Sequence, residues 1–147
     1  MKQRKIAIGV VVSMCVLSMM AGNRFAGVLG AASKEASRLA VVWTSGDPDV
    51  AHRMVFMYVH ASQNQKWFDE NLVIVWGPSS RLLAENEELQ AEVREMMKDG
   101  VKFQACIVCA NMYGVAEKLR DMGIEVKGMG KPLTELLQDD GWDVMTF

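Results

Sequence analysis

Between Leu39 and Phe147 the chain switches repeatedly between two hydrophobic periods, and this alternation constrains the fold more than any other feature. Leu39-Ala40-Val41-Val42-Trp43 and Leu72-Val73-Ile74-Val75-Trp76 are unbroken apolar runs. Turn residues bound them: Thr44 to Pro48 after the first, Gly77-Pro78-Ser79-Ser80 after the second. Such runs suit strands covered on both faces, as in a parallel sheet. Val101 to Cys106, Ile124 to Val126 and Trp142 to Phe147 read as three further strands. Between them, Val50 to Ser62, Arg81 to Asp99, Asn111 to Met122 and Leu133 to Gln138 carry apolar residues at helical spacing. Asp47-Pro48 is a helix-opening pair, and Gly100 and Gly123 are placed to end helices. The order βαβαβαβαβ predicts a three-layer α/β/α sandwich around a mostly parallel five-stranded sheet, flavodoxin-like or closely related.

The first 32 residues follow a different pattern. Lys2, Arg4 and Lys5 precede a charge-free, almost wholly apolar stretch from Ile6 to Gly22. That is the layout of a secretory signal, and Gly30-Ala31-Ala32 offers small residues before a cut at Ser33. The stretch 6–22 also approaches the length of a membrane tether. The expectation is therefore an exported, periplasmic or extracytoplasmic protein, with residues 1–32 a signal peptide or anchor and residues 33–147 the domain. All 18 acidic residues but only 12 of the 16 basic ones lie in 33–147, a net charge of −6. No basic run occurs there, so nucleic acid is not an expected partner.

The domain holds two cysteines, in Cys106-Ile-Val-Cys109, where the third strand pattern gives way to a helix. In parallel sheets, ligands sit outside the carboxyl ends of the strands. The segments expected there are Ser45-Gly46-Asp47, Gly77-Pro78-Ser79-Ser80, Cys106 to Cys109 and Gly128-Met129-Gly130. Ser45, Gly46, Gly77 and Ser79 are thus candidate binding residues beside Cys106 and Cys109. A thiol near a helix N-terminus has a lowered pKa and becomes a better nucleophile. One thiol could attack a sulfur donor and the other resolve the product as a disulfide. Other readings stay open: a thioredoxin-type redox pair, an unreactive disulfide, or two small buried residues. Zinc needs four ligands, and only His52 and His60 could join the thiols. His52 and Arg53 could also place a cation near the crevice. The methionines lack a dense copper-binding cluster and read as core or oligomer face. Neither a metal nor a cofactor is expected.

Val101-Lys102-Phe103-Gln104-Ala105-Cys106-Ile107-Val108-Cys109, followed by Gly114-Val115, resembles the DsrE-like sulfur-relay family, including its YchN-like branch. The ending Asp143-Val144-Met145-Thr146-Phe147 also resembles that branch. The resemblance spans residues 38–147. It implies an α/β sandwich assembled into a homotrimer or homohexamer. It implies a cysteine at the position of Cys106 that accepts and passes on a persulfide, with Cys109 matching a second cysteine of some branches. A small sulfur compound or a sulfur-transfer protein would be the partner. Relay members act in the cytoplasm, and the export-type start departs from that pattern. The competing reading is a non-catalytic oligomeric binding or assembly module.

Overall fold

The computed structural model describes residues 38–147, so the basic start, the apolar stretch 6–22 and the cleavage site lie outside the described residues. Strand β1 (Arg38–Trp43) leads into α1 (Pro48–Val50), a π-helical stretch (Ala51–Phe56) and α2 (Met57–Gln65), which follow one another without a break. Then come β2 (Glu70–Val75), α3 (Pro78–Glu85), α4 (Glu87–Lys98), β3 (Lys102–Cys106), α5 (Ile107–Met112), α6 (Ala116–Asp121), β4 (Glu125–Lys127), α7 (Gly130–Gln138) and β5 (Trp142–Thr146). The five strands form one all-parallel sheet in the order β4-β3-β2-β1-β5. Among the described residues, no helix is long and apolar enough to cross a membrane.

The handedness of the crossovers explains where the helices go. From β1 to β4 each step moves one strand in the same direction, and right-handed connections then put all the intervening helices on one face. The step from β4 to β5 returns across the sheet to the far side of β1, so its helix α7 must cover the opposite face. The core divides accordingly. Leu39, Val41, Trp43, Val73 and Val75 point toward α2 to α6 and pack with Val55, Phe56, Leu83, Leu89 and Leu119. Ala40, Val42, Leu72 and Ile74 point the other way and pack with Met129, Leu133 and Leu136 around α7. Residues 39–43 are at most 5% exposed, which is why the sequence shows a solid apolar run and no alternation.

Two predicted helices are each a pair. Arg81 to Asp99 is split at Asn86, which adopts extended backbone and accepts the Leu89 N–H on its side chain at 3.0 Å. Asn86 therefore caps α4 as α3 ends. The Gln90 side-chain amide donates to the carbonyls of Leu83 and Ala84 at 3.0 and 2.9 Å, satisfying acceptors that the break leaves open. Asn111 to Met122 is likewise two helices, because Gly114 takes a φ of 69° between α5 and α6. The first of these begins at Ile107, four residues earlier than the periodicity predicts, so Cys109 lies inside α5.

Candidate functional site

Adjacent strands whose following helices leave toward opposite faces open a crevice at their carboxyl ends. In this sheet those strands are β3, followed by α5, and β4, followed by α7. Cys106 is the last residue of β3 and stands in register with Lys127, the last residue of β4. Its backbone is extended, and α5 begins at the next residue. Topology thus places the cysteine pair at the switch point, a result that no local pattern contains.

Both thiols are free. Cys106 is 4% exposed and packs with Met129 on the α7 side of the sheet, while Cys109 is only partly buried and joins the same cluster along with Trp76. Burial pushes the Cys109 thiol up from its ordinary value. The adjoining Cys106 thiol adds to the rise, and the main-chain N–H groups of Gly77 and of Cys109 itself oppose it. The sequence predicts a thiol acidified by the helix start. The structure corrects that: at the third position of a six-residue helix, desolvation and a second thiol outweigh the peptide dipoles. Alkylation of Cys109 by iodoacetamide is therefore expected to reach half its maximal rate at a higher pH than a cysteine in a short unstructured peptide. In Cys106→Ala the midpoint moves back toward the peptide value. Site-resolved mass spectrometry across a pH series measures both, and a midpoint at or below that of the peptide contradicts the account.

The other predicted residues frame the same edge. Gly77 caps α3 with φ 67° and ψ −134°, a conformation closed to most L-residues, and its N–H acts on Cys109. A Cβ there would meet nothing within 4 Å, so the cost of Gly77→Ala is purely conformational. A loss of about 1–3 kcal/mol is expected by urea unfolding, and a change of only a few tenths would show that the loop relaxes freely. Ser79 is fully buried. Its Oγ accepts the Trp76 N–H at 3.1 Å and directs its proton between the carbonyls of Trp43 (2.5 Å) and Trp76 (3.0 Å). Ser79 thereby ties the ends of β1 and β2 together. Ser45 Oγ accepts the Asp47 N–H at 3.1 Å, and a Cβ on Gly46 would come within 3.2 Å of Pro78 Cβ. Gly46 thus allows the first and second edge loops to approach each other.

His52 and Arg53 are not partners of the thiols. His52 Nδ1 pairs with Glu92 at 3.0 Å and Arg53 with Asp49 at 3.1 Å, and neither acts on Cys109. The sequence reading missed a different cation. The Arg81 guanidinium lies over the Tyr113 ring, 5.3 Å from its centroid. Arg81 follows Gly77 by four residues and Tyr113 follows Cys109 by four, so helical spacing was the available signal. Among the described residues, no group of three His, Cys, Asp or Glu side chains is arranged to hold a metal ion.

Residues 31–147 match the model of the DsrE/DsrF-like family. The chain belongs to that family. It is also similar to a solved structure, a conserved protein of unknown function from Bacteroides thetaiotaomicron. The two are 34% identical, the match covers 80% of this chain and 100% of the other, and the TM-score is 0.73. No curated protein matches the sequence. Membership of the DsrE/DsrF-like family suggests sulfur relay at a general level.

Proposed function

We propose that this DsrE/DsrF-like protein carries sulfane sulfur on its cysteine pair, with Cys106 bearing the persulfide and Cys109 assisting. The observation that carries this reading is the meeting of two free thiols at the topological switch point of a parallel sheet. In the step, the Cys106 thiolate attacks the outer sulfur of a donor such as thiosulfate. The donor's S–S bond breaks, and sulfite leaves with the bonding electrons. Cys109 can then attack Cys106 Sγ, expelling hydrosulfide and closing a disulfide.

The test is intact mass after incubating the reduced protein with thiosulfate or polysulfide. A gain of about 32 Da per sulfur, reversed by a reductant, is the expected product. A second reading is favoured by Val108 and Met112, exposed at 61% and 79% on α5 beside Cys109. These residues suit a protein contact, and in that reading the domain is a non-catalytic assembly module. Homotrimers or homohexamers belong to either reading, and light scattering on the purified protein measures them. Export, with 1–32 as signal or tether, is part of the proposal and rests on the charge-free stretch 6–22. N-terminal sequencing of protein from soluble and membrane fractions tests it.

A further inference from the structure

Arg81 carries a charge that nothing in the domain neutralises. Among the described residues it makes no ion pair and no hydrogen bond, and its guanidinium rests over the Tyr113 ring. The other described arginines are engaged: Arg38 with Asp139, Arg53 with Asp49, Arg94 with Gln90 and Arg120 with Glu117. A guanidinium lying on the face of an aromatic ring keeps the N–H groups along its edge open. Those N–H groups form a planar fork that matches an oxyanion. Residues 33–147 hold 12 basic and 18 acidic residues, a net charge of −6 that repels small anions over most of the surface. An open guanidinium is a local exception to that field.

Its position follows from two contacts between α3 and α5, which both start at the carboxyl edge of the sheet. Gly77, the cap of α3, turns its N–H on Cys109. Arg81 follows Gly77 by four residues and meets Tyr113, which follows Cys109 by four. The second contact thus repeats the first one helical turn further along, about 6 Å away. Side chains on a helix lean toward its N-terminus, which tilts Arg81 back toward the edge that carries the thiols. Arg81 is not among the groups that shift the Cys109 thiol, so its charge stands apart from the sulfur. A sulfonate held by a guanidinium places a sulfur bonded to it roughly 5–6 Å from the donating nitrogen, which matches that gap.

We propose that Arg81 is the anion-binding residue of the thiol site, and that it seats a sulfonate-type sulfur donor such as thiosulfate by its oxygens, with the outer sulfur beside the cysteines. The identity of the anion rests on the sulfur-carriage reading above, and the seat itself does not. In the transfer, the Cys106 thiolate bonds to the outer sulfur, the donor's S–S bond breaks, and its electron pair leaves on sulfite. The guanidinium offsets the charge that gathers on those oxygens.

Two alkylating probes test the seat without sulfur chemistry. Iodoacetate and iodoacetamide are alike in size and react at the same carbon, but only iodoacetate is an anion. Site-resolved mass spectrometry of the full-length protein at low salt gives the rate of each at Cys109. The iodoacetate-to-iodoacetamide ratio is expected to fall about fivefold in Arg81→Gln. Arg81→Lys keeps part of it. Lys66→Gln, which removes an exposed cation before β2 at the opposite edge of the sheet, leaves it unchanged. Arg81 is exposed, so its substitution spares the core, and an unaltered iodoacetamide rate reports that. With thiosulfate as donor, the concentration giving half-maximal sulfur uptake rises about fivefold in Arg81→Gln, while the maximal rate stays within about twofold. An unchanged ratio in Arg81→Gln, or an equal fall in Lys66→Gln, overturns the proposal even where sulfur uptake is normal. A falling ratio in a protein that takes up no sulfur supports the anion seat and removes sulfur carriage instead.

Discussion

Cys106→Ser is expected to abolish the sulfur adduct, cutting uptake from thiosulfate by at least about a hundredfold. A hydroxyl keeps nearly the same shape at the end of β3, so the fold is undisturbed while the nucleophile is gone. Cys109→Ser gives the opposite pattern. It still takes up sulfur, and the adduct persists longer because no neighbouring thiol expels hydrosulfide. Enclosure supports this division of roles. Cys106, 4% exposed, can shelter a persulfide from bulk thiols, whereas the partly exposed Cys109 is open enough to let the expelled hydrosulfide leave. Intact mass spectrometry of the two variants beside the wild type separates the outcomes. An adduct that survives in Cys106→Ser and vanishes in Cys109→Ser reverses the roles. No adduct on any reduced form removes sulfur carriage and leaves the assembly module.

Trp43→Ala is expected to cost about 3–5 kcal/mol. On a domain of this size the melting temperature should fall by about 10–20 °C. Trp43 ends β1, a strand paired on both sides, and is fully buried. Its ring meets Phe56 edge-on, with centroids 5.2 Å apart, and Phe56 in turn meets Phe103 at 6.4 Å. Removing the indole therefore opens a void beneath the π-helical stretch and leaves Phe56 held on one side of this aromatic row only, by Phe103. Trp43→Phe should cost much less. The indole Nε1 finds no hydrogen-bond partner among the described residues, so its loss removes an unsatisfied donor along with some apolar area. Thermal melts and urea titrations measure both variants. A Phe variant as unstable as the Ala variant would show that Nε1 has a partner after all.

The layered fold was legible because its signal is local. Five apolar segments with turn residues between them can satisfy their burial in few ways, and all five are strands. Boundaries were less legible where a polar side chain overrides the hydrophobic period. Asn86 caps a new helix in the middle of an otherwise continuous helical pattern, and Gly114 inserts a left-handed residue into another. The upward shift of the Cys109 thiol is not legible in the sequence for a related reason. Sequence shows that a helix begins nearby, but not how deeply the sulfur is buried or that Cys106 adjoins it. Ser79 looked like a ligand-facing hydroxyl, and it is enclosed against the main chain of β1 and β2.

By itself, the sequence determined the element order, the parallel sheet, the two-faced burial of β1 and β2, and the chemistry available at Cys106 and Cys109. These follow from hydrophobic period, turn chemistry and side-chain type, which act over a few residues. Only the tertiary structure decided that β5 returns beside β1, that α7 alone of the described helices covers the second face, and that the cysteines therefore sit at the switch point. It alone brought His52 to Glu92 across 40 residues and His60 to Asp99 across 39. Strand order, burial and cross-helix pairing are set by which distant surfaces exclude water together, and no window of sequence contains both halves of such a contact.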